Sequence, residues 1–192
     1  MVDIIADKLA EWVQGKDLKG ARIAVFNRIR DIPYSVIPEL NDPHQYVRIF
    51  EFNRGSCTPK HFLLCNMYQM LGLRVWYAVY PYRWDEFENL YPPGLRKLAR
   101  DMPTGYHLAC KVEIGGKFIL VDATLDPALE VVGLPVNKEW DGVSDMILPV
   151  NPCGEEQVYH PSEAYLMQMQ QYDQSSLAFY DGLNSWMDAL RV

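Results

Sequence analysis

YHLACKVEIGGKFILVDAT, residues 106–124, consists of two runs of apolar, aromatic and β-branched residues joined by Gly115-Gly116. Two such runs with a glycine pair between them predict a tight antiparallel β-hairpin, because glycine pairs favour the two-residue turns of hairpins. A two-residue loop places Cys110 opposite Val121 and sets the pairing of every other residue in the two strands. The stretch therefore predicts both a sheet and its register.

That register assigns the two faces of the hairpin. The apolar side chains that share the core face are Leu108, Cys110, Val112, Ile114, Ile119 and Val121. His107 and Asp122 lie together on the other face, as diagonal neighbours with Cα atoms roughly 5.5 to 8 Å apart. An imidazole and a carboxylate at that separation can share a hydrogen bond. A loop one residue longer or shorter would point the two side chains to opposite faces.

A cysteine stands at the leading edge of a long apolar run upstream, in RGSCTPKHFLL, residues 54–64. Pro59 fits the first turn of a helix whose apolar residues continue to Leu71, and Gly72 is a typical helix terminator. The helix is apolar nearly all round, so we predict that it is central to the fold. Cys57 then lies at its amino-terminal end, where a thiol can be held for reaction.

Two conditions favour the thiolate form of a cysteine, namely the positive end of a helix dipole and a nearby imidazolium. The predicted geometry supplies both to Cys57. We therefore predict a catalytic group in which Cys57 is the nucleophile, His107 is the general base, and Asp122 orients His107. The N–H groups at the start of the helix could also hold an oxyanion during acyl transfer.

The order of these motifs, RGSC, then LGLRVWYAVY, then GYHLACKVEIGGKFILVDAT, resembles the core of the transglutaminase-like superfamily, which is related to papain-like cysteine peptidases. The segments CTPKHFLL and LVDATLDPALEVVGLPVNKEWDG are similar to an uncharacterised prokaryotic branch of that superfamily. The resemblance covers about residues 22–127. It implies a catalytic cysteine, histidine and aspartate at Cys57, His107 and Asp122, with cysteine-dependent hydrolysis or acyl transfer at an amide-type carbonyl and no cofactor.

The chain departs from the transglutaminase pattern after the histidine, where Leu108-Ala109 replaces a frequent aromatic residue. The departure argues against protein crosslinking as the activity. Arylamine N-acetyltransferases, which the same motifs also resemble, have further domains for which the chain lacks the length. The resemblance therefore implies an α+β fold of the papain/transglutaminase-like kind, with a central helix packed on an antiparallel sheet and flanking N- and C-terminal helices.

The chain has 192 residues, of which 49% are hydrophobic. This length supports one domain with a substantial core and is short for two, so we predict a single domain over residues 1–192. Its core covers about residues 22–127, and a helical extension covers about residues 160–192. Leu177, Tyr180, Leu183, Met187 and Leu190 share one stripe of that extension, which could pack on the domain or on a second copy.

The net charge of −7, without a cluster of Lys and Arg, argues against binding to nucleic acid or to an anionic membrane. The first residues, MVDIIADKLAEWV, are acidic where a signal peptide is basic, and no stretch approaches the length of a membrane span. We expect a cytoplasmic protein whose four cysteines stay reduced. Its expected substrate is a peptide, a protein or a small amide or acyl compound.

The remaining segments predict further elements. Helical periodicity predicts helices over Asp3 to Val13 and Ala21 to Ile29. VWYAVYPY, residues 75–82, predicts a strand whose aromatic residues contribute more to the core than to a cleft. A short helix is expected around residues 95–99. VRIFEF, residues 47–52, is compatible with a short strand or with extended chain, and the sequence does not choose between the two.

Two alternatives remain open for the cysteine motif. Cys57, His61 and Cys65 recur at i, i+4 and i+8, and Cys110 could add a fourth donor, which together describe a structural zinc site. Against it, the chain has no CxxC knuckle, and Cys65 lies in an apolar run. His61 is expected on the helix surface or in a pocket wall. The second alternative is a catalytically inactive domain that uses the same cleft to bind a peptide or a protein partner.

Overall fold

The computed structural model describes residues 4–167, 172 and 174–191. Its α-helices are α1 (Ile4–Val13), α2 (Leu18–Arg30), α3 (Ile49–Phe52), α4 (Cys57–Met70), α5 (Pro93–Arg100) and α6 (Gln174–Ala189). Its strands are β1 (Val75–Tyr82), β2 (Gly105–Ile114), β3 (Lys117–Val121) and β4 (Gln157–Tyr159). The fold is α+β, as the sequence predicts.

The four strands form one antiparallel sheet in the order β3-β2-β1-β4. The predicted hairpin register is confirmed, since Cys110 pairs with Val121 and Ile114 pairs with Lys117. Gly115 and Gly116 have φ angles of +60° and +78°, which only glycine adopts without strain and which the tight turn requires.

The central helix α4 packs on β1 and β2, with α1 and α2 behind it. Its first turn contains Pro59, and Gly72 follows its end with a φ of +79°, both as predicted. The core between helix and sheet consists of apolar side chains from both, including Phe62, Leu63, Leu64, Met67, Val79, Leu108, Cys110, Val112 and Val121. This packing holds the amino-terminal end of α4 against the sheet.

Residues 47–52 form neither of the extended structures expected for them. They continue from a 3₁₀ turn at Tyr46–Arg48 into α3. Tertiary packing overrides the β-branched and aromatic composition, because the helical turn buries Ile49 completely in the core beside α4. Asn53 then caps α3 in the left-handed conformation, with a φ of +49°, and directs the chain towards α4.

A second apolar cluster joins α5 and α6 to the segment after β3. Tyr180, Leu183 and Met187 of α6 are buried in it, so this part of the predicted stripe packs on the chain itself. Leu177 is 40% exposed and does not share that burial. Parts of the predicted extension, residues 168–171, 173 and 192, lie outside the described residues, as does Asp3 at the start of the first predicted helix. In the described part of the chain, no helix combines the length and apolar character needed to cross a membrane.

Candidate active site

Cys57 is the first residue of α4, and the turn before it is built closely around the backbone. A Cβ atom on Gly55 would lie 2.8 Å from Ile49 and 3.0 Å from Pro59, so only glycine fits there. Ser56 occupies the N-cap position, but its hydroxyl donates to Asn41 Oδ1 at 3.0 Å and does not cap the helix. Ser56 therefore does not cap the first backbone N–H groups of α4. These N–H groups lie at the end of the helix that carries Cys57.

The structure brings His107 and Asp122 together. His107 Nε2 donates to Asp122 Oδ2 at 2.6 Å. Asp122 stands one residue beyond the end of β3, so no strand pairing holds it. The two residues are only 2% and 1% exposed, so the pair is buried.

Further hydrogen bonds hold the Asp122 carboxylate in place. Its Oδ1 accepts from the backbone N–H of Thr124 at 3.0 Å. The amide of Asn137 donates to the backbone oxygen of Asp122 at 3.1 Å and also exchanges two hydrogen bonds with the backbone of Ile147. The segment that follows β3 thus covers Asp122 and fixes its orientation towards His107.

Cys57 and His107 line the same cavity and shift each other's pKa, which brings the three predicted side chains into one group. Burial disfavours the charged form of both groups, but the opposing contributions outweigh it. The charge and hydrogen bond of Asp122 raise the pKa of His107 to about 10. The hydrogen bond and charge of His107, with the N–H of Leu108, lower the pKa of Cys57 from its ordinary value.

His61 is fully buried, contrary to the expectation of a surface or pocket-wall residue. Its Nε2 accepts from the backbone N–H of Ala123 at 3.1 Å, so its Nδ1 carries the proton and donates to the oxygen of Cys57 at 2.8 Å. Burial lowers the pKa of His61 to about 4. A neutral His61 therefore ties the first turn of α4 to the residue after Asp122.

The zinc ligand set is not assembled. Both ring nitrogens of His61 are engaged in the bonds to the backbone, and Cys65 lies with Cys110 in the apolar core, where their thiols hydrogen-bond each other. Among the described residues, no group of three or more His, Cys, Asp or Glu side chains could hold a metal ion.

The sequence did not predict the buried polar network around Lys60 of α4. Lys60 is fully buried, and its ammonium donates to the backbone oxygens of Arg30 at 3.1 Å and Thr124 at 2.7 Å. Burial lowers the pKa of Lys60 to about 7. Asp126 accepts from the backbone N–H of Tyr34 and, at 2.7 Å, from the Arg191 guanidinium. The bond to Arg191 attaches the residues that follow α6 to the segment after β3. No local pattern marks these residues, because their partners lie up to 92 positions away for Asp126 and Tyr34.

Two cavities open beside Cys57. We call the first the apolar cavity; it measures about 40 Å³, and its lining consists of Tyr34, Cys57, Tyr82, Trp84, Phe87, Tyr91, His107, Thr124, Leu125, Leu134, Pro149, Val150, Leu183 and Met187. We call the second the tyrosine cavity; it measures about 20 Å³, and its lining consists of Tyr34, Val36, Asn41, Ser56, Cys57, Thr58, Tyr82, Trp84, Tyr106, Tyr172 and Tyr180. Tyr82 and Trp84 line both cavities and are also buried in the second apolar cluster, so these aromatic residues serve the core, as expected, and the cavities as well.

Comparisons with known proteins add a similarity to a solved structure. No family model and no curated protein matches the chain. A crystal structure described as a "Putative Cysteine Protease" from Cytophaga hutchinsonii is similar to it with a TM-score of 0.45 and 16% sequence identity. The similarity covers 82% of this chain and 48% of that one, so the chain spans about half the length of the protein it resembles.

Proposed function

We propose that this chain is a cysteine-dependent hydrolase or acyltransferase of the papain/transglutaminase-like kind, acting on an amide-type carbonyl without a metal or organic cofactor. One observation carries the proposal. A buried imidazole is bonded to a carboxylate at 2.6 Å and, against the effect of burial, lowers the pKa of the Cys57 thiol beside it. This arrangement matches what a thiolate nucleophile requires, because the proton leaves the sulfur for a base whose orientation is already set.

In the proposed reaction, the thiolate of Cys57 attacks the carbonyl carbon of the substrate. A C–S bond forms, the C–N bond breaks, and Nδ1 of His107 gives its proton to the leaving nitrogen. Asp122 keeps Nε2 protonated and stabilises the imidazolium in the resting state. Water or an amine then attacks the thioacyl intermediate and returns a proton to His107, and the C–S bond breaks to restore the thiolate.

The start of α4 supports stabilisation of the oxyanion in this reaction. The N–H groups of the first turn point along the helix axis at its positive end, and Ser56 does not cap them. A negative oxygen formed on the carbon attached to Cys57 would lie beside these donors. Uncapped donors fixed before the reaction lower the energy of a tetrahedral intermediate more than donors that must first reorient.

A second candidate is an inactive domain that binds a peptide or a protein partner in the same cleft. Limited access to the nucleophile favours it. Cys57 itself is only 8% exposed. The reactivity of this thiol separates the two candidates.

The test is competitive alkylation of the four cysteines. Brief treatment with limiting iodoacetamide near neutral pH, followed by peptide mapping, should label Cys57 ahead of the exposed Cys153. The result is expected although Cys57 is only 8% exposed, since its thiolate character should outweigh the greater exposure of Cys153. Cys65 and Cys110 should remain unlabelled, because both are completely buried.

His107→Ala is the decisive variant for this experiment. It removes the imidazolium partner and should erase most of the lead of Cys57 over Cys153, while the rate at Cys153 stays unchanged as an internal control. If Cys57 instead reacts no faster than Cys153 in the wild type, and His107→Ala leaves both rates as they were, the inactive binding domain becomes the better description.

A further inference from the structure

The two cavities meet at Cys57 but differ in what else they contain. His107 lines the apolar cavity and is not among the described residues that line the tyrosine cavity. The tyrosine cavity contains the buried polar pair of Ser56 and Asn41 on its other side. The general base therefore faces only one of the two spaces into which a bound substrate can extend.

The position of the base assigns the two halves of a substrate. In acyl transfer, the proton from His107 goes to the leaving group, and the proton of the incoming acceptor returns to His107. Both groups must therefore lie within reach of this imidazole, on the side of the apolar cavity. The acyl group stays attached to the sulfur of Cys57. It would therefore occupy the tyrosine cavity, the second cavity that Cys57 lines.

The walls of the apolar cavity indicate the chemistry of the group it accepts. Leu134, Leu183 and Met187 contribute aliphatic surface, and Tyr91 contributes an aromatic ring. The volume of about 40 Å³ limits the group to a compact one. Leu183 and Met187 belong to α6, so this helix forms part of the cavity wall.

Two polar atoms in the lining are buried without a hydrogen-bond partner among the described residues, the Trp84 indole N–H and the Thr124 hydroxyl. Edge-to-face contacts with Tyr82 and Phe179, at 4.9 and 5.1 Å between centroids, fix the Trp84 ring. A buried polar group without a partner is costly, and in a cavity it is commonly satisfied by a ligand. Thr124 can accept from the N–H of a scissile amide, and Trp84 can donate to an oxygen of the substrate.

We propose that the apolar cavity is the leaving-group subsite and that the substrate is an acyl compound whose leaving group is compact and apolar, with its acyl part in the tyrosine cavity. The proposal rests on the cysteine-dependent function proposed above. Met187 and Leu183 limit the length of the leaving group, and Thr124 and Trp84 bind the polar atoms beside the reacting bond.

Matched thioesters test the assignment on the wild-type protein. On the leaving side, S-butyl thioacetate is compared with S-(2-methoxyethyl) thioacetate, which has the same number of non-hydrogen atoms but an ether oxygen. On the acyl side, S-methyl thiopentanoate is compared with S-methyl 3-methoxythiopropanoate. Each kcat/KM is divided by the rate of the same ester with a free thiol, which removes differences in intrinsic reactivity.

We expect a preference of about tenfold for the butyl over the methoxyethyl leaving group, the size of effect that one apolar group produces in a hydrophobic subsite. The acyl pair should differ by less than about threefold, since the tyrosine cavity offers polar and apolar surface alike. Equal rates on the leaving side, or a preference found on the acyl side alone, overturn the assignment while the proposed function stands. If Cys57 is not acylated by any of the four esters, the proposed function and the assignment fall together.

Met187→Ala tests the role of α6. It lengthens the apolar cavity, so S-hexyl thioacetate should gain about tenfold relative to S-butyl thioacetate. Leu177→Ala is the matched control, because Leu177 lies on the same helix, is 40% exposed and lines neither cavity. An unchanged hexyl-to-butyl ratio in a folded Met187→Ala protein overturns the role of α6, and if this variant does not fold, the wild-type comparison decides alone.

Discussion

His61 on α4 and His107 on β2 are both buried, and their ring centroids lie 6.1 Å apart. Burial alone disfavours the charged form of each. The pKa of His61 nevertheless lies at about 4 and that of His107 at about 10. His61 is bonded to backbone groups that match one neutral tautomer, whereas His107 faces a carboxylate. The comparison shows that the partner, and not the depth of burial, decides the charge of a histidine at this site.

The largest effect is expected from removal of the charge that distinguishes the two histidines. Asp122→Asn keeps the shape of the side chain but no longer favours the imidazolium or the correct tautomer of His107. We expect kcat/KM for S-butyl thioacetate to fall by roughly 10²- to 10⁴-fold.

Asp126→Asn is the control for that substitution, because Asp126 is another buried carboxylate, bonded to Arg191 and to the N–H of Tyr34. This change should reduce stability and leave kcat/KM of the folded protein within a few fold. Equal losses in the two variants would mean that Asp122 acts through folding alone, and the comparison of the histidines would then have no bearing on activity.

The pH dependence of Cys57 alkylation reports the charge of His107 directly. The wild-type rate should rise with a midpoint below the ordinary thiol pKa of about 8.5, because the imidazolium favours the thiolate. It should stay level to about pH 9, since the pKa of His107 is about 10. In His107→Ala, only the N–H of Leu108 still opposes the larger effect of burial, so the midpoint should move above the ordinary value. Superimposable pH profiles for the wild type and His107→Ala would contradict a Cys57 thiolate paired with a His107 imidazolium.

The neutral state of His61 predicts a loss of stability in mild acid. Between pH 6.5 and pH 4 the unfolded chain binds a proton at this residue and the folded chain does not, so the free energy of unfolding falls as the pH falls. The shift from 6.5 to about 4 corresponds to a loss of about 3 kcal/mol. His107 adds no slope in this window, because its folded-state pKa of about 10 leaves both states protonated below pH 6.5.

Urea unfolding of the wild type and of His61→Asn at a series of pH values measures this loss. The variant should be less stable at pH 7 but should show a flatter dependence between pH 6.5 and pH 4. His160→Asn is the control, since His160 is exposed, and it should keep the wild-type slope. A wild-type slope in His61→Asn would show that another group takes up the proton.

The smallest effect is expected from metal removal. Both nitrogens of His61 are already bonded to the backbone, so the zinc alternative lacks one of its ligands. Incubation with EDTA should leave the Tm unchanged, and metal analysis of the purified protein should find less than about 0.1 zinc per chain, because a structural zinc contributes directly to the free energy of folding. One zinc per chain together with a fall in Tm would reassign His61 as a ligand.

The hairpin and the start of α4 could be predicted because their signals are local. Gly115-Gly116 can form only a tight turn between two strand-forming runs, and the alternation of side chains then decides which residues share a face. Pro59 and Gly72 mark the two ends of α4 in the same local way. These signals were enough to select Cys57, His107 and Asp122 and to place the last two side by side.

Contacts between distant segments decided the rest. The helical form of residues 47–52 depends on burial of Ile49, and the buried position of the Lys60 ammonium depends on backbone oxygens of Arg30 and Thr124. The tautomer of His61 likewise depends on a distant segment, because the backbone N–H of Ala123 donates to its Nε2. The position of His61 along α4 does not predict this contact.

The sequence by itself thus determined the α+β class, the hairpin register and the three residues of the candidate site, since each follows from turn chemistry, periodicity or motif order. Only the tertiary structure decided which histidine is charged, and that α6 closes the cavity beside Cys57. The physical reason is that pKa and cavity shape depend on every group within a few ångströms, and those groups come from parts of the chain that no local pattern connects.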